Sequence, residues 1–120
     1  MNIILYDNLK FTGSNKTNEN NKSTQIPQMT DKIIHKKITI YGRVQGVAFR
    51  KFAHQMAKKC KLAGYVQNQA NGSLYVEAEG PKEQIEQFIN WCHQGSPFSK
   101  VDRVETKDGT PCYYAIFEIL

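Results

Sequence analysis

The spacing of hydrophobic positions changes several times after residue 31, and each change marks an element. Ile34, Ile38 and Ile40 alternate with Lys37, Thr39 and Tyr41, the period-2 pattern of a strand with one apolar face, ending at Gly42. Phe49, Phe52, Ala53, Met56, Ala57 and Cys60 then recur at helical spacing and share one face, with Lys51, Lys58 and Lys59 elsewhere. Lys58, Lys59 and Lys61 suit the negative pole at the end of that helix, and Gly64 helps to break the pattern. Residues 65–69 and 74–79 are short β-type runs joined through Asn71-Gly72, a strong hairpin-turn signal. In the second run Leu74, Val76 and Ala78 share a face, while Glu77 and Glu79 on the other face read as solvation. Gly80-Pro81 opens a second helix with Glu83 and Glu86 near its positive pole, a stripe of Ile85, Phe88, Ile89 and Cys92, and Gly95 at its close. Residues 101–106 and 113–119 follow as strands around Asp108-Gly109, with Tyr113, Ala115, Phe117 and Ile119 on one face.

The order strand, helix, strand, strand, helix, strand, with one more strand at the end, predicts an α+β class. Specifically, it predicts a ferredoxin-like split β-α-β sandwich: an antiparallel sheet with two helices on one face plus an extra C-terminal strand. That arrangement hosts many functions and decides none of them.

Residues 12–31 have a different character. They are polar, rich in Asn and Thr, and aperiodic, so they cannot bury enough apolar surface to offset the entropy of ordering. Residues 1–31 are therefore expected to be a disordered N-terminal extension ahead of one domain at 32–120, and Met29 is a candidate natural start. The apolar patch at residues 3–6, with Phe11, names no docking partner.

A chain of 120 residues with 40% hydrophobic and 22% charged content is that of a one-domain soluble protein. No apolar run nears the roughly 20 residues that span a bilayer, and the start lacks the form of a secretory signal. A cytoplasmic address is the expectation. Cys60, Cys92 and Cys112 are odd in number and lack close pairing, so neither a disulfide framework nor a zinc site is expected. Cys60 and Cys92 fall in helical apolar stripes and read as buried free thiols. The net charge of +5 lies wholly in residues 32–120, which hold thirteen basic and eight acidic residues. Such a domain suits an anionic partner, either a small phosphorylated molecule or a nucleic acid.

The informative segment is Gly42-Arg43-Val44-Gln45-Gly46-Val47-Ala48-Phe49-Arg50, between a strand and a helix. Such a junction offers unpaired N–H groups and the positive pole of the helix, an anion site in the making. Gly42 and Gly46 permit positive φ and close backbone approach, and Arg50 in the first turn can hold two phosphate oxygens at once. The alternative at this level is a plain glycine turn with a solvated arginine. The spacing fits neither the nucleotide-binding P-loop nor the dinucleotide fingerprint.

This segment resembles the first signature of the acylphosphatase family, G-x-V-Q-G-V-x-F-R. Gly64-Tyr65-Val66-Gln67-Asn68, followed by Gly72 and Gly80, is similar to the second in residues and spacing. The tract from Gly95-Ser96-Pro97 through Val101-Asp102-Arg103-Val104 is also similar to the family's later sequence. Leu74 departs conservatively from the usual Val, and Glu118-Ile119-Leu120 lacks the aromatic or basic ending of many members, which implies a changed contact at the site edge. The resemblance implies a phosphate cradle formed by Gln45, Gly46, Val47, Ala48, Phe49 and Arg50, with Asn68 positioning the attacking water. Arg50 and Asn68 are the expected catalytic pair. It further implies a metal-free hydrolysis of the carboxyl–phosphate bond, with no cofactor, no metal ligands, no phosphoenzyme and a small acyl phosphate substrate; a monomer is the simplest expectation for the oligomeric state, which the sequence does not fix.

Other residues fit structural roles. His35, His54 and His93 read as exposed or satisfied histidines, Tyr65 as packing near the site, and Trp91 as filler between helix and sheet. An RNA-binding module is disfavoured because the central strands lack the aromatic pattern that stacks bases, so neither a nucleic-acid nor a membrane partner is expected. A catalytically silent paralogue is disfavoured because Arg50 and Asn68 are both present. Removing residues 1–28 is expected to leave melting temperature and activity unchanged; a large loss of either refutes their dispensability.

Overall fold

A computed structural model describes residues 32–120, so the expectations for residues 1–31 and Met29 lie outside the described residues. The elements are β1 (Ile34–Arg43), α1 (Phe49–Lys59), β2 (Ala63–Asn68), β3 (Leu74–Gly80), α2 (Lys82–Gln94), β4 (Lys100–Gly109) and β5 (Phe117–Ile119). They form one sheet in the order β4-β1-β3-β2-β5. The first four strands pair antiparallel, whereas β5 runs parallel to β2 with Phe117 opposite Gly64. The ferredoxin-like α+β arrangement is as expected, but the sheet is mixed.

The core lies on the helix-bearing face. Ile38 and Ile40 of β1, Val66 of β2 and Leu74, Val76 and Ala78 of β3 meet Phe49, Ala53 and Ala57 of α1 and Ile85, Phe88 and Cys92 of α2, all fully buried. Burying each larger aliphatic or aromatic side chain contributes about 1.5–3 kcal/mol, which is why the period-2 and helical stripes dictate the layers. Trp91 fills the gap beside Phe49 and Phe88, at ring-centroid distances of 5.2 and 6.1 Å. Cys60 and Cys92 are buried free thiols, and burial pushes both thiol pKa values up. Among the described residues no helix is long and apolar enough to cross a membrane.

Two connections determine which ends of these elements meet. Residues 60–62 turn α1 straight into β2, so β2 runs back along the helix and its last residue, Asn68, lies at the end where α1 begins. The β2–β3 turn then closes with the Gly72 N–H donating to the Gln69 carbonyl, the Gln69 N–H to the Ser73 carbonyl, and Gly72 at φ +92°.

The end of the chain departs from the expected strand over 113–119. Only residues 117–119 form a strand; Tyr113 has φ +57° and is exposed. Instead, residues 112–114 lie against the sheet face opposite the helices. The N–H groups of Cys112 and Tyr114 donate to the Glu79 carboxylate, and the Tyr114 hydroxyl donates to Glu77 at 3.0 Å. Glu79 is therefore buried rather than solvating the sheet, and Glu77 is half-buried. Register explains it. β1 and β3 set His35 directly opposite Glu79, and the ring Nδ1 lies 2.6 Å from the Glu79 carboxylate. Burial alone pushes the Glu79 carboxyl pKa up, but the hydrogen bonds from Cys112, His35 and Tyr114 outweigh it and hold the group below its ordinary value. His35, at 2% exposure, is buried, with Nδ1 against Glu79 and Nε2 without a hydrogen-bond partner among the described residues. Tyr65 packs edge-on to Tyr114 on this same face.

Gly64 shows how tightly β2 and β3 approach. It holds φ +141°, and a Cβ there would stand 1.8 Å from the Glu77 carbonyl oxygen. Gly64→Ala is expected to cost about 2–4 kcal/mol in urea unfolding, because both backbone conformation and space are denied. An unchanged midpoint would show that the strands can separate freely.

Candidate active site

The loop between β1 and α1 is pinned at both ends by burial. Val44 and Phe49 are each 1% exposed, and Val47 packs partly into the same core. The chain must therefore turn sharply between them. Gly42 makes the entry: β1 slips register against β4 between Tyr41 and Gly42, with φ +132° and a would-be Cβ 2.1 Å from the Lys100 carbonyl oxygen. Gly46 takes φ +74° in open space. Ala48 then adopts the left-handed region, φ 59° and ψ 23°, as the residue that caps α1. A residue with a Cβ held there stores about 1–2 kcal/mol, an outlier of the kind that clusters at binding sites.

The start of α1 carries no side-chain cap and no acidic residue in its first turn. Among the described residues, no backbone carbonyl outside helix and strand ladders accepts from the N–H groups of residues 45–50. A run of free amides at the positive pole of a helix is a strong anion site. Lys58 and Lys59 occupy the opposite pole, as their spacing predicted.

Two hydrogen-bonded tethers connect this loop to β2. The Gln45 side-chain amide donates to the carbonyls of Gln69 and Ser73, at 2.8 and 2.9 Å. Its side chain thus braces the hairpin, leaving its backbone to the loop. Gln69 adjoins Asn68, so this brace sets Asn68 beside the turn. Asn68 is exposed and follows Val66 by two residues, on the helix side of β2. The second tether is Arg50, whose Nη1 donates to the Leu120 carbonyl oxygen at 2.9 Å, while the Leu120 N–H donates to the Val66 carbonyl at 2.8 Å. The guanidinium is held, with its Nη2 and Nε groups directed to no partner among the described residues. A planar cation in this state is suited to grip two oxygens of one anion.

Sequence reasoning missed both tethers. The signature motif placed Gln45 in the cradle but did not reveal that its side chain reaches across 24 residues of sequence to the hairpin. The contact between Arg50 and Leu120 was foreshadowed only by the unusual chain ending. Ser96 donates to the Val47 carbonyl at 3.4 Å, a weak third support. His54 is half-exposed near Phe117, His93 is exposed, and neither bonds to the loop.

Comparison with known proteins agrees with this layout. The family model described as Acylphosphatase matches residues 36–119. A protein named acylphosphatase from Mannheimia succiniciproducens is 45% identical over 76 residues, 63% of this chain and 84% of the relative. The crystal structure of acylphosphatase from Bacillus subtilis superposes with a TM-score of 0.71 at 38% identity, covering 72% of this chain and 98% of that one. That of an acylphosphatase from Coxiella burnetii gives a TM-score of 0.74 at 25% identity, covering 78% of this chain and all of that one. With its match over residues 36–119, both loop and hairpin motifs included, this chain belongs to the acylphosphatase family.

Proposed function

We propose that this domain hydrolyses the carboxyl–phosphate bond of acyl phosphates, releasing a carboxylate and inorganic phosphate. The observation that carries the reading is the uncapped turn at residues 45–50, hydrogen-bonded through Gln45 to the hairpin that bears Asn68. In this reading the amides from Gln45, Gly46, Val47, Ala48, Phe49 and Arg50 receive the phosphate oxygens. The Arg50 guanidinium, steadied by Leu120, holds two of them. Asn68 accepts a hydrogen bond from a water through its side-chain oxygen and aims that water at phosphorus.

The chemistry suits such a set of groups. A carboxylate is a good leaving group, so little general acid is required. The bond from water oxygen to phosphorus forms as the bond from phosphorus to the acyl oxygen breaks. The carboxylate leaves with the electron pair, and the water proton passes to a phosphate oxygen. Charge on the transferring group grows where fixed dipoles and the guanidinium already point, and such preorganised donors are worth about 10²–10³ in rate each. Asparagine orients water but is not a base, which fits a role in positioning. The same dipoles supply the positive field, so the reaction as proposed needs no metal ion and no cofactor. We place the protein in the cytoplasm as a monomer, a setting that suits its three free cysteines.

Three measurements test this. Hydrolysis of acetyl or benzoyl phosphate is expected to continue in EDTA, and a strict need for a divalent ion would overturn the mechanism. Arg50→Lys is expected to lower kcat/KM by about 10²-fold or more despite keeping the charge, since lysine cannot grip two oxygens. Near-normal turnover would remove Arg50 from its role. Asn68→Ala is expected to lower kcat by about 10²-fold while inhibition by inorganic phosphate changes only a few-fold. The opposite split would make Asn68 a binding residue.

A further inference from the structure

The sheet face away from the phosphate loop carries a second cluster of chemically active side chains. One ring nitrogen of His35, one carboxylate oxygen of Glu79 and the Cys112 sulfur all lie within 4.8 Å of one another. His35 and Glu79 are almost fully buried, at 2% and 3% exposure, whereas Cys112 is exposed. Imidazole, carboxylate and thiolate together form the donor set of zinc and its borderline neighbours, unlike the all-oxygen sets that magnesium and calcium take.

The surroundings of the cluster match the same chemistry. A metal-bound histidine normally directs its second ring N–H at a carboxylate, which fixes the tautomer. Here Nδ1 faces Glu79 at 2.6 Å, and Nε2 lies 2.9 Å from Glu77 Oε1. That second contact has an ion-pair distance, and the buried Nε2 has no hydrogen-bond partner among the described residues. Glu77 is itself held by the hydroxyls of Tyr75 and Tyr114, at 2.6 and 3.0 Å. The arrangement is an imidazole with the Glu77 carboxylate beside one nitrogen and a carboxylate and a thiol near the other.

We propose that His35 Nδ1, the Glu79 carboxylate and the Cys112 thiolate bind one divalent transition ion of the zinc class, with water completing a tetrahedron. Binding releases the proton of the Cys112 thiol to solvent and frees Nδ1 as a ligand, with the imidazole proton carried on Nε2 beside Glu77. At ordinary zinc–ligand distances of about 2.0–2.3 Å the three donors stand roughly 3.3–3.8 Å apart, so the His35–Glu79 pair opens from 2.6 Å while Cys112 closes in from within 4.8 Å. The exposed Cys112, on irregular chain between β4 and β5, supplies that movement. The ion ties residues 112–114 to the central strands, and with them the approach to β5, whose following residue Leu120 holds Arg50. It takes no part in the chemistry at the phosphate loop.

The test uses the full chain, reduced and stripped of metal, titrated with Co²⁺ and with Zn²⁺. One Co²⁺ per chain is expected to bind with a thiolate-to-cobalt charge-transfer band, and saturating Zn²⁺ to raise the melting temperature by about 5 °C or more. Cys112→Ser, at an exposed position, is expected to leave the metal-free melting temperature unchanged while abolishing the band and the Zn²⁺ shift. Mg²⁺ is expected to shift neither protein. A wild type without the band or the shift overturns the proposal. So does a Cys112→Ser protein that keeps both, because the sulfur ligand would then be another cysteine.

Discussion

Val44 and Phe49 are both buried in the same core, and the four residues between them must reverse direction without burying their own backbone. Everything at the candidate site depends on that constraint. A turn so short needs positive φ at Gly46 and at Ala48, and it delivers the chain into α1 with no residue able to cap the helix. The amides at the helix start have no backbone or side-chain cap among the described residues, the condition under which an anion can satisfy them. The energy for this arrangement comes from the core, which offsets about 1–2 kcal/mol of strain at Ala48 through the burial of two large side chains.

A cradle alone does not align a reaction, and the surrounding fold adds two hydrogen-bonded ties that do. Gln45 fixes the loop to the β2–β3 turn, and Leu120 fixes Arg50 to β2. One tie ends on the turn that follows β2, and the other on β2 itself, the strand that finishes with Asn68. The short run from α1 into β2 is what returns that strand to the loop. Loop, arginine and asparagine therefore move with one rigid strand rather than with three separate elements. For a reaction that depends on alignment and fixed dipoles, that is the property that matters.

The opposite face of the sheet is organised by a different principle. There His35 Nδ1 and the N–H groups of Cys112 and Tyr114 bond to Glu79, while the Tyr75 and Tyr114 hydroxyls bond to Glu77, and this network fastens residues 112–114 onto the strands. Burial of Glu79 and Glu77 is tolerated because hydrogen bonds to the charged form outweigh desolvation and lower both pKa values. The two faces of one sheet thus do separate work: an apolar face that seats the helices and the turn between β1 and α1, and a polar face that anchors residues 112–114.

The amino-acid sequence by itself determined the elements, because a period of two or of 3.6 can bury only one face of a strand or a helix. It also located the glycine turn and Arg50, since positive φ and an uncapped helix start are local properties. What it could not determine were contacts between residues far apart in the chain. Glu79 looked like solvation until β1 and β3 paired in a register that set His35 against it. The run from Tyr113 onward looked like one strand, yet hydrogen bonds to Glu79 held its first part across the sheet and left β5 with three residues. β5 joined β2 in parallel, and Gln45 turned from a motif residue into a brace. Periodicity records which side of an element faces inward, whereas tertiary structure decides which distant group waits there to meet it.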